Sequence, residues 1–356
     1  MSNILKNWWK FLGIALIMYV FTMIFMVPMG PGLLSSEVEV NENGIASIEV
    51  SAFATHFEHN PKNIKAYLRL EDSGITIECN NIIAQTNSKL SLQFNLPDTV
   101  PSSSWDLLIN AEKDGTLYLP NALFHEPKTK VEPTDLSFTT GDLSNEQVFE
   151  KDLGLHFPYQ PRIVESIRNL PLHVPMWFTM FFLMGIGFAQ SIRTLRNSNN
   201  ELSDTKALSS IKVGIFFGVL GLLTGSLWAR FTWGAWWVND PQLNGALVSV
   251  MIYSGYLILR STISDSSQRA RLSAVYSLFA FVILMVLLMV LPRFTESLHP
   301  GKSGNPAFSK YDLDSSLRMV FYPAVIGWIL IGTWMYNLTL RAELLKNKIQ
   351  SKKEYQ

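Results

Sequence analysis

The chain has 356 residues, of which 48% are hydrophobic and 16% charged, and its formal net charge is +0. Without a net positive charge or a basic stripe, nucleic acid is not an expected partner. Cys79 is the single cysteine, which excludes an internal disulfide, a cysteine zinc cluster and a Cys-x-x-Cys redox pair. Apolar runs of about 20 residues favour an α-helical integral membrane protein with an inserted all-β domain.

Residues 1–34 predict a first transmembrane helix. Lys6 and Lys10 precede an apolar stretch from Phe11 to Val27, which ends in a Pro-Met-Gly-Pro sequence. A secretory signal peptide is the alternative, but the stretch is longer than a signal's apolar region and no Ala-x-Ala-like site follows. We therefore interpret it as a helix that enters the membrane from the cytoplasm.

Residues 35–160 predict a sandwich-like β-domain. Short runs with period-two alternation are separated by Asn-Gly, Pro-Asp and Lys-Asp-Gly turns, as in a small β-sandwich. The runs are SIEVSAF, KAYLRLE, GITIEC, KLSLQFNL, WDLLINAE and TLYLPNAL. His56 and His59 have the spacing of half a metal site, but no further ligands follow at suitable spacing. We interpret both, with His125, as surface residues.

Residues 161–342 predict five further membrane helices, and residues 343–356 a cytoplasmic tail. The apolar spans are Leu172–Ser191, Ile211–Leu227, Leu243–Leu259, Leu272–Leu291 and Met319–Leu340. With the first helix they make a total of six, so both termini lie on one side.

Basic residues between the spans predict the orientation, because Lys and Arg collect in cytoplasmic loops. They fall on the side of the two termini: Lys6, Lys10, Arg193, Arg196, Lys206, Lys212, Arg260, Arg269, Arg271, Arg341, Lys346, Lys348, Lys352 and Lys353. The β-domain and the Trp-rich loop at 228–244 therefore face outward, into the periplasm if the membrane is a Gram-negative inner membrane.

The loop at 228–244 contains four tryptophans within ten residues, followed by Asp240-Pro241. They are Trp228, Trp233, Trp236 and Trp237. One interpretation is an interfacial aromatic belt. The other is a stacking surface for a large planar ligand, with Gly234 allowing close approach and Pro241 fixing the turn.

Two histidines are expected at the same depth as this loop. His173 lies where the second span meets the outer face, and His299 follows the fifth span. A histidine at a helix end is often a solvated or capping residue, but two neutral imidazoles beside an aromatic surface also suit axial ligation of haem iron. Arg230 and Arg293 are candidate partners of haem propionates or ordinary interfacial arginines.

The sequence Trp233-Gly234-x-Trp236-Trp237-x-x-Asp240-Pro241 resembles the WWD signature of haem-handling proteins in cytochrome c biogenesis. With His173-Val174-Pro175 and Leu298-His299, residues 160–340 are most similar to the CcmC family. The resemblance implies that His173 and His299 are axial ligands of a transiently bound, non-covalent haem b. It also implies that the loop holds this haem at the outer leaflet.

The same resemblance implies partners, namely a CcmE-like haem chaperone, a CcmD-like small membrane protein and a CcmAB-like ABC transporter. The chain departs from the family pattern at Asn239, Gln242 and Asn244, where a Trp, an Arg and a Thr are usual. These changes remove one ring and one positive charge from the loop. The long β-domain is also unusual for the family, and its role stays open.

Other functions remain as alternatives to haem delivery. A CcsA- or CcmF-type cytochrome c haem lyase shares the WWD signature, but such proteins have more spans and intramembrane histidines. We expect both His173 and His299 to lie in loops, with no histidine inside a span. A transport permease or an electron-transfer cytochrome has less support, because the spans show no paired charges or haem-spanning histidines. We therefore predict a haem-binding and transfer protein rather than an enzyme.

Overall fold

The computed structural model describes residues 2–41, 44–70, 76–96, 103–125, 155–159, 163–197, 201–295, 297–299 and 315–354. The chain forms two compact units. One is helical and combines Met1–Met26 with Glu165–Gln356, and the other is a β-unit over Val27–Val164.

The helical unit contains seven helices within the part of the chain that the structure describes. They are α1 (Ser2–Met26), α2 (Leu170–Arg196), α3 (Glu201–Thr232), α4 (Pro241–Thr262), α5 (Ser266–Met285), α6 (Leu291–Phe294) and α7 (Ser315–Glu354). A π-helical turn, Val286–Val290, connects α5 to α6. Helix α7 continues to Glu354, so residues 343–354 are helical.

Among the described residues, six helical segments are long and apolar enough to cross a membrane, and α6 continues the fifth of them. The predicted fold class is confirmed, and the protein is a multi-pass membrane protein. Large apolar side chains such as Phe25, Met251 and Phe279 are exposed on the helices, as expected for surfaces that face lipid.

Close contacts between helices depend on small residues, since packing rather than hydrophobic exclusion drives association in lipid. A Cβ atom at Gly218 of α3 would lie 2.9 Å from both Met180 Sδ of α2 and Val250 Cγ2 of α4. Helices α2, α3 and α4 therefore meet at this glycine. Phe217 of α3 and Tyr253 of α4 are fully buried in the hydrophobic core that these helices share.

Two ion pairs connect helices at the opposite end from the Trp-rich loop. The guanidinium of Arg260, in the last turn of α4, donates to both carboxylate oxygens of Asp204 in α3 at 2.6 and 2.7 Å. Lys212 of α3 lies 2.5 Å from Glu343 of α7. The bidentate Arg260–Asp204 pair joins the last turn of α4 to the first turn of α3.

The β-unit consists of two antiparallel four-stranded sheets. Its strands are β1 (Gly32–Val40), β2 (Ile45–Phe53), β3 (Lys65–Arg69), β4 (Thr76–Glu78), β5 (Asn81–Thr86), β6 (Lys89–Asn95), β7 (Ser103–Ala111) and β8 (Gly115–His125). The orders are β1-β2-β6-β5 and β4-β3-β7-β8. Alternate residues of both sheets, including Ile48, Leu68, Leu92 and Trp105, form one core.

The six predicted runs correspond to β2, β3, β4, β6, β7 and β8, whereas β1 and β5 were not predicted. Both missed strands lie at a sheet edge and leave most of their side chains partly or fully exposed, which weakens the alternation that identifies a strand. His56 Nδ1 lies 2.8 Å from the buried carboxylate of Asp114. Of the other predicted surface histidines, His59 is exposed, and the side chain of His125 lies outside the described residues.

Candidate functional site: two histidines beside a tryptophan-rich loop

His173 lies on helix α2, and not in a loop as the sequence suggested. The helix begins at Leu170 and contains Pro171 and Pro175. Pro171 costs little, because the first N–H groups of a helix have no intrahelical acceptor, whereas Pro175 lies in the helix interior and removes one intrahelical hydrogen bond. His173 therefore stands inside the segment counted as a candidate span, and the expectation that no histidine lies within a span was wrong.

A hydroxyl on α3 determines which nitrogen of His173 carries the proton. His173 Nδ1 lies 3.0 Å from Thr224 Oγ1, and Thr224 Oγ1 donates its proton to the Leu220 carbonyl at 2.8 Å. A hydroxyl has one proton, so Thr224 accepts from His173 Nδ1–H. The neutral ring then has its lone pair on Nε2, the atom that is free to bind a metal.

Helix α3 approaches the His173 ring so closely that the contact needs a glycine. A Cβ atom at Gly225 would lie 2.7 Å from His173 Cε1. Two indoles meet the same imidazole edge-on, Trp177 at a centroid distance of 6.3 Å and Trp228 at 5.7 Å. Trp228 Nε1 donates to Ser166 Oγ at 3.1 Å. His173 is thus held by α3 and by two aromatic rings.

The Trp-rich loop leaves α3 at Thr232 and turns at Gly234. Gly234 has φ +79°, a left-handed conformation that favours glycine, and a Cβ atom there would meet nothing within 4 Å. The turn itself therefore requires this glycine. Ser226 Oγ donates to the Trp236 carbonyl at 2.8 Å, and Arg230 donates to the Gly234 carbonyl.

Asp240 closes the loop and begins helix α4. Its Oδ1 accepts from the backbone N–H groups of Gln242 and Leu243 at 2.9 and 3.2 Å, and Pro241 occupies the first helical position. Asp240 is therefore the N-cap of α4. Its Oδ2 also accepts from the N–H of Leu298 at 2.8 Å. One buried carboxylate therefore joins α4 to the segment that contains His299.

His299 lies beside Asp240 and Trp233. Its Nδ1 is 3.3 Å from Asp240 Oδ1, an electrostatic contact outside hydrogen-bond geometry, and its ring meets the Trp233 indole edge-on at a centroid distance of 5.2 Å. A carboxylate only accepts, so this arrangement favours a proton on Nδ1 and a lone pair on Nε2. The His299 side chain is 20% exposed, against 2% for Asp240.

The carboxyl group of Asp240 is held in its ionised form. Burial by itself raises the pKa of this carboxyl group. The contact with the His299 imidazole and the hydrogen bonds from Leu298 N–H and Ser297 outweigh burial, and the pKa falls well below its ordinary value. Asp240 therefore carries a negative charge next to His299 at any physiological pH.

The structure places both histidines at the loop end of α3. His173 contacts Trp228 in the last turns of this helix, and His299 contacts Trp233 directly after it. Each ring directs Nδ1 at an oxygen atom of the protein, which leaves Nε2 as the metal-binding nitrogen of each histidine.

The remaining predicted site residues lie at or near the surface. The Trp236 side chain is 59% exposed and Trp237 is 39% exposed, whereas Trp233 and Trp228 are half-buried. Arg293 is exposed on α6. Neither Arg230 nor Arg293 forms an ion pair within the described part of the chain, so both guanidinium groups are accessible to an anionic ligand.

Three residues of the site were not singled out from the sequence. Trp177 follows His173 by four positions, so it lies on the same face of α2, and this spacing was a usable signal. Thr224 and Gly225 lie against His173 because of the way α3 packs on α2, and the spacing of residues in the sequence does not predict this packing.

These features define a class of protein: a multi-pass membrane protein with two histidines and a cluster of indoles at one end of its helices. The family model described as "CcmC: Heme exporter protein C" matches residues 154–355. This match covers more than half of the chain, including every residue of the candidate site. The chain therefore belongs to the CcmC family.

Individual relatives agree with this assignment. The chain is 27% identical over 186 residues to Heme exporter protein C of Bradyrhizobium diazoefficiens, an alignment that covers 52% of the chain and 70% of that protein. The protein of the same name from Haemophilus influenzae is 29% identical over 186 residues, covering 51% and 72%. Cytochrome c biogenesis protein CcsA of Prochlorococcus marinus (strain MIT 9303) is 37% identical over 97 residues, but the alignment covers only 26% of the chain and 30% of that protein.

Proposed function

We propose that this protein binds haem b non-covalently at the extracytoplasmic end of its helices and delivers it to a haem chaperone for cytochrome c maturation. The observation that carries the proposal is the shared arrangement of His173 and His299. Each imidazole has an oxygen partner at Nδ1, Thr224 or Asp240, and therefore an Nε2 lone pair. A partner of this kind fixes the tautomer and orientation of a metal-binding histidine.

Haem is the cargo of the site, and its iron takes two axial imidazoles. With both positions filled the iron is six-coordinate, which limits reaction with oxygen while haem is held. The indoles of Trp233, Trp236 and Trp237 supply flat apolar surface for the porphyrin ring. The high exposure of Trp236 supports this role, because a large unused aromatic surface commonly marks a binding site.

The propionates of the cargo need cationic partners. Arg230, in the last turn of α3, and Arg293, on α6, are both exposed, and a guanidinium group matches the geometry of a carboxylate. Trp228, Gly234, Asp240 and Pro241 complete the proposed site by supporting the loop rather than by contacting iron.

The proposed setting is an inner membrane with both termini in the cytoplasm and the β-unit in the periplasm. It follows from the distribution of basic residues between the spans. The proposed partners are those of a Ccm system, namely a CcmE-like chaperone that receives haem, a CcmD-like small protein and a CcmAB-like transporter. Relatives named Heme exporter protein C support a haem-handling role rather than catalysis.

The decisive experiment is a visible spectrum of the purified protein in detergent after incubation with haem. The wild-type protein is expected to give the low-spin spectrum of bis-imidazole haem. His173→Ala and His299→Ala are each expected to remove that signature. His59→Ala is the matched control, because His59 belongs to the β-unit and is exposed.

Unchanged spectra in both site variants would refute the proposed ligands and leave the tryptophans as an interfacial belt. A haem lyase is the second candidate, and it is favoured by the similarity to CcsA and by the position of His173 on a helix. Transfer of intact haem to a purified CcmE-like chaperone distinguishes delivery from covalent attachment to a Cys-x-x-Cys-His substrate.

A further inference from the structure

Two asparagines at the start of α4 form a hydrogen-bonded pair that reaches Trp237. Trp237 Nε1 donates to Asn244 Oδ1 at 3.2 Å, and Asn244 Nδ2 donates to Asn239 Oδ1 at 2.8 Å. The backbone N–H of Asn244 donates to the Asp240 carbonyl at 3.0 Å, so Asn244 stands in the first, capped turn of the helix. We call Asn239 and Asn244 the Asn pair.

The direction of these hydrogen bonds is fixed by chemistry. An indole N–H donates and never accepts, so Asn244 must turn its oxygen to Trp237. Its NH₂ group then points to Asn239, which accepts through its own oxygen. The Asn pair therefore connects one indole to a rigid helix end through a unique orientation of both amides.

The neighbouring indole has no such connection. Trp236 is held through its backbone carbonyl by Ser226, whereas its side chain is 59% exposed and its indole has no hydrogen-bond partner among the described residues. Of the two adjacent indoles, only that of Trp237 has a hydrogen-bond partner within the described part of the chain. The hydrogen bond to Asn244 therefore distinguishes the Trp237 indole from the adjacent Trp236 indole.

We propose that Asn244, oriented by Asn239, is a positioning residue that fixes the plane of the Trp237 indole against the porphyrin cargo. This inference rests on the proposed haem function, because the cargo supplies the reason for a fixed plane. Preorganising an aromatic contact strengthens binding, since the ring does not have to be ordered when the ligand arrives.

The first test needs no haem. The protein is labelled with 5-fluorotryptophan and studied by ¹⁹F NMR in detergent, and Trp237→Phe identifies the Trp237 resonance by its disappearance. Asn244→Leu is expected to shift and broaden this resonance, because the indole loses its acceptor. Asn239→Leu is expected to cause a smaller change. Gln242→Leu, in the same turn, is the control and is expected to leave the resonance unchanged.

A rescue variant separates positioning from folding. Asn244→Asp keeps an oxygen acceptor for the indole, and Asn239 can rotate its amide to donate to the new carboxylate. It is expected to restore the narrow line of the Trp237 resonance, at a chemical shift displaced by the new charge. An unaltered Trp237 resonance in Asn244→Leu, or a failed rescue by a folded Asn244→Asp protein, would overturn the inference.

The second test measures haem affinity by titration. Asn244→Leu is expected to weaken binding by about threefold to tenfold, the effect of losing one hydrogen bond. In a Trp237→Phe background the same change is expected to have less than about a twofold effect, since its target is gone. Equal effects in both backgrounds would refute positioning through Trp237. Absence of haem binding by the wild-type protein would refute the proposed function itself, whatever the ¹⁹F spectra show.

Discussion

His173 and His299 are supported in opposite ways. His173 lies on a 27-residue helix, and α3 packs on its ring so closely that Gly225 has no room for a Cβ atom. His299 lies in a non-helical segment, keeps 20% of its side chain exposed, and is held by Asp240 and Trp233. A fixed imidazole and a more accessible one therefore face the same loop.

This difference suits a site that must hold a cargo and later release it. Segments with few packed neighbours open locally at a lower free-energy cost than helices in a core. In the proposed function, His299 is the ligand that leaves first and His173 the one that leaves last. Substitutions that weaken the support of His173 should reduce haem affinity most, and those that act on His299 or on the ring of Trp228 should reduce it less.

Gly225→Ala tests the close packing of α3 on the His173 ring. The added methyl group would lie 2.7 Å from His173 Cε1, so the ring must rotate away from its position against Thr224. We expect haem affinity to fall by about tenfold or more, measured by spectroscopic titration. Gly185→Ala is the matched control, because a Cβ atom there meets nothing within 4 Å. Equal affinities in the two variants would show that the position of His173 is not critical.

Asp240→Asn tests the contact between Asp240 and the more accessible histidine, His299. Asparagine is as good a helix N-cap as aspartate, so α4 should keep its stability. The amide oxygen can still cap α4, but the NH₂ group cannot accept from Leu298 N–H. This hydrogen bond and the negative charge next to His299 are therefore lost, and we expect haem affinity to fall by about threefold to tenfold. Asp240→Ala removes the cap as well and should cost about 1 kcal/mol more in the free energy of unfolding. A loss of stability in Asp240→Asn equal to that in Asp240→Ala would contradict the separation of the two roles.

The pH dependence sharpens the role of Asp240. The pKa of Asp240 is lower in the folded protein than in the unfolded chain. The stabilising contacts of its carboxylate are therefore fully present above the ordinary aspartate pKa of about 4. They are lost as the pH falls from there through the lowered pKa of the folded state. We expect the stability difference between wild type and Asp240→Asn to stay constant from about pH 6 to pH 8 and to shrink below about pH 4. Thermal unfolding across this range measures it. A difference that already changed near neutral pH would assign the effect to another group.

Ser166→Ala has the smallest expected effect. Ser166 accepts the indole N–H of Trp228, the ring that meets His173 edge-on. Losing this neutral hydrogen bond should loosen Trp228 and reduce haem affinity by about twofold. A fall of tenfold or more would make Trp228 a direct contact of the cargo instead of a support for His173.

Hydropathy was sufficient to predict the six spans and the β-domain, because long apolar runs and period-two alternation depend on composition and order alone. The cap formed by Asp240 is also a local property, because this residue stands directly before a proline at a helix start. The second function of Asp240, its contact with Leu298 and His299, was not predictable. It joins positions that lie far apart in sequence, and single-sequence periodicity contains no information on such a pair.

The support of His173 was missed for a similar reason. The residue of α3 that faces His173 depends on how far α3 is displaced along α2. A displacement by one turn would replace Thr224 by a neighbour, and the apolar pattern of the sequence does not distinguish the two positions. The sequence also suggested that His173 lies in a loop, because it stands where the second span meets the outer face. In the structure Pro171 lies in the first turn of α2, where a missing N–H costs least, and the helix continues through Pro175 in its interior.

The Arg260–Asp204 pair and the Asp240 cap stand at opposite ends of α4. This helix has 22 residues, which corresponds to a length of about 33 Å. With the guanidinium end as a pivot, a tilt of about 5° would move the capped end by roughly 3 Å. Because Asp240 also accepts from the N–H of Leu298, such a tilt would carry the segment that contains His299 with it.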